Sequence, residues 1–173
     1  ATMFKNYIVK KDDTKECSNY VHVAGFPGAT STDILTKIDS ILKTFKHEEF
    51  TNTVILSIGV NDTQEFNGSQ KNSIEQYKTN IEKIVKCVID NGCNMIILGL
   101  TRIESDEKFL WKPNKYYDNE IKTEYDRDLE LILSYDAELK KLCKNNRIKY
   151  IAMQDILQKA DFIDGLHPNH NGH

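Results

Sequence analysis

The run Thr53-Val54-Ile55-Leu56-Ser57-Ile58 constrains this chain most. It is almost continuously apolar rather than alternating. That is how a strand buried on both faces reads, and such strands belong to parallel sheets covered by helices. The run stops at Gly59-Val60-Asn61-Asp62, a turn composition. Two further runs resemble it: Asn94-Met95-Ile96-Ile97-Leu98-Gly99-Leu100, and the shorter Ile148-Lys149-Tyr150-Ile151. Tyr20-Val21-His22-Val23-Ala24 reads as another short strand, ending at Gly25.

Helical spacing fills the intervals. Ile34, Leu35, Ile38, Ile41, Leu42 and Phe45 mark one apolar face after an N-cap at Ser31 or Thr32, with Asp33 in the first turn. Ile74, Tyr77, Ile81, Ile84, Val85, Val88 and Ile89 mark a second, with Gly92 as its stop. Ile121, Tyr125, Leu129, Ile132, Leu139 and Leu142 mark a third, from about residue 119 to 145. Met3, Phe4, Tyr7 and Ile8 suggest a short helix at the start. Strands alternating with helices predict an α/β fold with a parallel sheet and right-handed crossovers. At 173 residues the chain suits one domain.

Composition narrows the function. The net charge is −3 and the basic residues are dispersed, unlike the clustered basic face of a nucleic-acid binder. No apolar run approaches the roughly 18 residues of a membrane span; no signal peptide is visible, but Ala1 is not an initiator Met, so secretion stays open. Cys17, Cys87, Cys93 and Cys143 form no C-x-x-C pair, which fits a reduced, cytoplasmic setting without a thiol-held metal.

Ligands of open parallel sheets sit outside the carboxyl ends of the strands. Three polar segments are expected there: residues 25–32, residues 59–62, and the tail Asp164-Gly165-Leu166-His167-Pro168-Asn169. Gly28 has no side chain, so its N–H can approach a ligand closely, and Asn61 can offer a side-chain N–H. Together they would form an oxyanion hole. Asp164 lies three residues before His167. Its carboxylate can accept from the imidazole Nδ1–H and leave Nε2 as the outward base, the second half of a nucleophile–His–Asp relay. Taken singly, Gly28 is equally a turn glycine, and Asn61-Asp62 equally a cap or Asx-turn. Their shared sheet edge is what points to a site. The 101–118 loop carries Trp111, Pro113, Tyr116 and Tyr117, and loops of that length are often lids or binding loops. Trp111 and Tyr116 are the candidate substrate contacts, by stacking on a sugar or holding an acyl chain.

In these blocks the sequence resembles the SGNH hydrolases, also called GDSL-type esterases and lipases. The second block is Phe26-Pro27-Gly28-Ala29-Thr30-Ser31, the third Gly59-Val60-Asn61-Asp62, and the fifth Asp164-Gly165-Leu166-His167-Pro168-Asn169. The resemblance implies a three-layer α/β/α, flavodoxin-like fold and hydrolysis of small-molecule esters through an acyl-enzyme, without a cofactor. It implies Gly28 and Asn61 as oxyanion donors, His167 as general base and Asp164 as its orienter. The family's Gly-Asp-Ser block is absent from residues 1–173. Its serine is therefore expected upstream of Ala1, together with a central strand, and a closing helix is expected after His173. The strands at 20–24 and 53–58 would then lie about twice the roughly 4.8 Å strand spacing apart.

Three readings stay open on sequence. One is an ester hydrolase acting on a short-chain lipid or an acetylated carbohydrate. Another is an inactive pseudo-hydrolase or binding module that lacks the nucleophile. The least favoured is a metal site on Asp164, His167, His170 and His173, in a loop rich in glycine and proline.

Overall fold

The computed structural model describes residues 20–66, 69–103, 129–163 and 165–172. Helix α1 (Ser31–Phe45) is followed by strand β1 (Thr53–Leu56), then by the small hairpin β2 (Glu65–Phe66) and β3 (Ser69–Gln70). Helix α2 (Ile74–Asp90), strand β4 (Asn94–Leu98), helix α3 (Leu129–Asn145) and strand β5 (Lys149–Ile151) follow, with a 3-10 turn at Lys159–Asp161. The opening helix expected at residues 3–10 lies outside the described residues, as does the 119–128 part of the expected third helix.

The three main strands form a parallel sheet in the order β1-β4-β5. Both crossovers step in the same direction. Right-handed connections therefore place α2 and α3 on one face, and α1 packs beside α2 on that face. Register assigns the two faces. Val54 pairs with Met95, and Leu56 with Ile97 and Tyr150, toward the helices. Thr53, Ile55, Ile96, Leu98 and Ile151 point to the opposite face. The core lies between the sheet and its helices. Ile34, Ile38 and Leu42 of α1, Tyr77, Ile81, Ile84 and Val88 of α2, and Ile132, Leu139 and Cys143 of α3 are buried in it.

Caps define the helix ends. Helix α1 starts one residue earlier than its sequence suggests. Thr30 is the N-cap, and Asp33 answers it in a reciprocal capping box. Ser31 is engaged elsewhere, by a residue far away in sequence. Helix α2 ends as its glycine foretells. Gly92 sits at φ +71°, its N–H donates to the Ile89 carbonyl, and the Cys93 N–H donates to that of Val88. That is the Schellman pattern.

Two expectations need correction. The run 53–58 forms a strand only to Leu56, and Ile55 is 48% exposed, so β1 is not buried on both faces. Its only strand partner among the described residues is β4. Tyr20–Ala24 forms no strand. With no backbone ladder to join, this stretch runs back along α1. His22 stacks on Phe45 with ring centroids 4.7 Å apart, and Lys37 lies over the Phe26 ring. Among the described residues, the side of β1 away from β4 is therefore unpaired.

Candidate active site

Parallel strands bring their carboxyl ends to one edge, and residues 59–62 follow β1 there. The turn is built tightly. Gly59 takes φ +136°, and a Cβ at this position would stand 2.7 Å from Leu100 Cδ2 and 2.8 Å from the Tyr77 hydroxyl. Only glycine suits both the angle and the space. The Asp62 N–H donates to the Gly59 carbonyl at 2.9 Å, and the Thr63 hydroxyl donates to that of Val60 at 2.9 Å. The Tyr77 hydroxyl donates to the Ile58 carbonyl at 3.2 Å. Burial pushes the Tyr77 hydroxyl well up in pKa and that of Tyr135 up to about 12, so both remain protonated donors.

The second segment at this edge is the turn before α1. Pro27 and Gly28 occupy its centre, Gly28 has φ +71°, and the Ala29 N–H donates to the Phe26 carbonyl at 3.2 Å. Proline followed by a positive-φ glycine is the type II turn signature. Gly28 is exposed, and Ala29 and Thr30 sink into the structure behind it.

The two segments meet. Asn61 Nδ2 donates to the Ala29 carbonyl at 3.1 Å. Beside it, Asp62 is fully buried and accepts the Ser31 N–H on both carboxylate oxygens, at 3.1 and 3.0 Å. Asp62 Oδ1 also accepts the Ser31 hydroxyl at 2.5 Å and Asn72 Nδ2 at 2.7 Å. Burial raises the Asp62 pKa above the ordinary aspartate range, while these donors pull it back down. Asp62, Ser31, Asn72 and Asn80 carry little weight in a sequence reading. One signal was available: Asn80 falls on the same helical stripe as Tyr77, Ile81 and Ile84, where a buried amide must find partners.

The third segment is the loop 162–168. Phe162 and Pro168 pair as an antiparallel bridge, and the Ile163 N–H donates to the His167 carbonyl at 2.8 Å. Gly165 takes φ +83°, and Leu166 is buried in the main core. His167 itself is exposed. An anchored leucine thus precedes an exposed histidine. Asp164, His173, Trp111 and Tyr116 lie outside the described residues. Among the described residues, no three of the His, Cys, Asp and Glu side chains gather as metal ligands would.

Over residues 10–173 the sequence matches the GDSL-like lipase/acylhydrolase family. The chain belongs to that family. No curated protein matches it in sequence. Solved structures with a similar fold include three esterases and lipases. A GDSL-like lipase from Bacteroides thetaiotaomicron is 18% identical, with a TM-score of 0.65 over 86% of this chain and 67% of that one. The esterase EstA from Pseudoalteromonas, solved with monoethylphosphonate as inhibitor, is 18% identical, with a TM-score of 0.63 over 99% of this chain and 76% of that one. The acetyl xylan esterase AlAXEase is 14% identical, with a TM-score of 0.69 over 99% of this chain and 83% of that one. The chain spans about two thirds of the length of the first structures it matches. These likenesses show the α/β, flavodoxin-like fold of GDSL hydrolases.

Proposed function

We propose that this GDSL-family chain carries the oxyanion-binding and base-bearing parts of a serine ester hydrolase. One observation carries the reading furthest: the Asn61 amide reaches the Ala29 carbonyl, so the Gly28 turn and the 59–62 turn share one sheet edge. In this reading the Gly28 N–H and the Asn61 amide stabilise the oxyanion, and His167 is the general base, oriented by Asp164. The nucleophile is a serine on a segment of the polypeptide preceding Ala1.

The chemistry balances without a metal. The serine oxygen attacks the ester carbonyl while His167 takes its proton. Collapse of the tetrahedral intermediate expels the alcohol, which receives that proton. Water then attacks the acyl-enzyme by the same route and releases the acid. The substrate is a small carboxylic ester, either a short-chain lipid or an acetylated carbohydrate. Trp111 and Tyr116 are assigned to its binding. The acetyl xylan esterase among the structural relatives favours the carbohydrate side.

The test is hydrolysis of p-nitrophenyl acetate by the full-length polypeptide, with and without chelator. Turnover that resists chelator and disappears in His167→Ala, with the fold retained, is the expected result. A wild-type protein that binds an ester without turning it over would make the chain a pseudo-hydrolase. Undiminished turnover by His167→Ala would remove the relay.

A further inference from the structure

We propose that Asp62 is a positioning residue, whose buried carboxylate locks the first turn of α1 to the 59–62 turn and thereby sets the Asn61 amide against the Ala29 carbonyl, next to Gly28. This rests on the assignment of Asn61 to the oxyanion made above, and gives that donor its support.

Two cross-links join the same pair of segments. Asn61 donates to the Ala29 carbonyl, and Asp62, the next residue, accepts from Ser31, two residues beyond Ala29. A shift of either segment strains both. Helix α1 presents its first-turn N–H and partial positive charge to the carboxylate, a favourable end for an anion. The lock is itself enclosed. Asn80 Nδ2 donates to the Ser31 hydroxyl at 3.0 Å and to the Thr32 hydroxyl at 2.9 Å, and Gln76 Nε2 donates to Asn80 Oδ1 at 2.8 Å. The Asn72 N–H donates to the Asp62 carbonyl at 3.3 Å, and the Tyr135 hydroxyl holds the Asn72 carbonyl at 2.5 Å. Helices α2 and α3 thus both hold the partners of Asp62. Its neighbours present donors: the Ser31 N–H, the Ser31 hydroxyl and the Asn72 amide. An uncharged amide at position 62 would turn one of its own N–H groups toward them.

If the network served folding alone, replacing Asp62 would change stability and leave the chemistry of the folded fraction intact. A positioning role makes a different demand. Misplacing a donor from outside the reacting centre costs up to about 10²-fold in rate.

The experiment combines Asp62→Asn, Asn61→Ala, their double variant and Ser31→Ala in the full-length protein, with p-nitrophenyl acetate as substrate. The Asn61 side-chain amide signals are followed by NMR in the Asp62 and Ser31 variants. For Asp62→Asn we expect kcat to fall by about tenfold to 10²-fold with KM changed by no more than about twofold. The double variant should be no slower than Asn61→Ala alone, because the effect of Asp62 passes through Asn61. Ser31→Ala, which keeps the backbone N–H, should lose less in the same direction. Wild-type kcat in folded Asp62→Asn, or losses that multiply in the double variant, would overturn the proposal. Should Asp62→Asn fail to fold, wild-type kcat in Ser31→Ala overturns it. Should the wild type cleave no ester, the functional reading fails, and the NMR signals alone decide the lock. Shifted or broadened Asn61 amide signals then support it, and unchanged ones overturn it.

Discussion

Asn61 is where geometry and chemistry are closest to a number. An oxyanion donor acts in the transition state, so its loss is read in kcat more than in KM. Asn61→Ala should lower kcat for a chromogenic ester by about 10²–10³, the usual cost of removing such a donor. A change confined to KM would make Asn61 a ground-state binding group. Asp62 leads to a pH effect whose sign can be worked out. Its folded-state pKa lies above the ordinary aspartate range because burial penalises the charge. Between the ordinary value and the raised one, the folded state binds more protons than the unfolded state. Burying the ionised group therefore costs stability at neutral pH, and the cost is relieved as pH falls through that window. Denaturant unfolding across mildly acidic pH should show Asp62→Asn lacking this contribution to the slope. Identical slopes in wild type and variant would contradict it. The sequence made Asn61 conspicuous and left Asp62 as a cap or Asx-turn. The reason is physical: its main partner, Ser31, is 31 residues away, and no local pattern registers a contact of that range.

At the scale of elements, most of the fold was legible. The three described helices lie within the stretches where apolar spacing put them, and Gly92 ends α2 because the Schellman turn needs a positive φ. The cap of α1 was off by one residue. Thr30, Ser31 and Thr32 are all capable caps, and what separates them is that Asp62 occupies Ser31, leaving Thr30 to pair with Asp33. Thr30→Ala should cost about 1 kcal/mol of stability, the usual value for a lost cap. Gly59→Ala should cost more, about 1–3 kcal/mol from the backbone angle alone, with the Leu100 and Tyr77 contacts adding to it. In a chain of this size each kcal/mol lowers the melting temperature by about 2–4 °C. A Gly59→Ala protein that melts with the wild type would show that the turn is not held as described. The hairpin of β2 and β3 could not be foreseen, because each strand is only two residues long and the segment reads as polar loop.

For the whole molecule, the informative disagreement is between the sequence of β1 and its surroundings. Thr53–Ile58 has the composition of a strand covered on both faces, yet Ile55 stands 48% exposed, and β1 pairs on one side only among the described residues. Tyr20–Ala24 has strand-like residues and forms no strand, because a strand needs a ladder partner as well as a propensity. The candidate site was legible as segments rather than as roles. The Asn61 amide reaches the Ala29 carbonyl, next to Gly28, and His167 is exposed on a loop anchored by Leu166, whereas Asp164, Trp111 and Tyr116 lie outside the described residues. Among the described residues, no helix is long and apolar enough to cross a membrane. The most direct test of the central claim is to treat the full-length polypeptide with a serine-directed phosphonate, map the adduct by mass spectrometry, and follow ester turnover in the same samples. The expected result is one modified serine, preceding Ala1, turnover lost in step with the modification, and much slower labelling in His167→Ala. Turnover that survives the phosphonate and is abolished by chelator would contradict it.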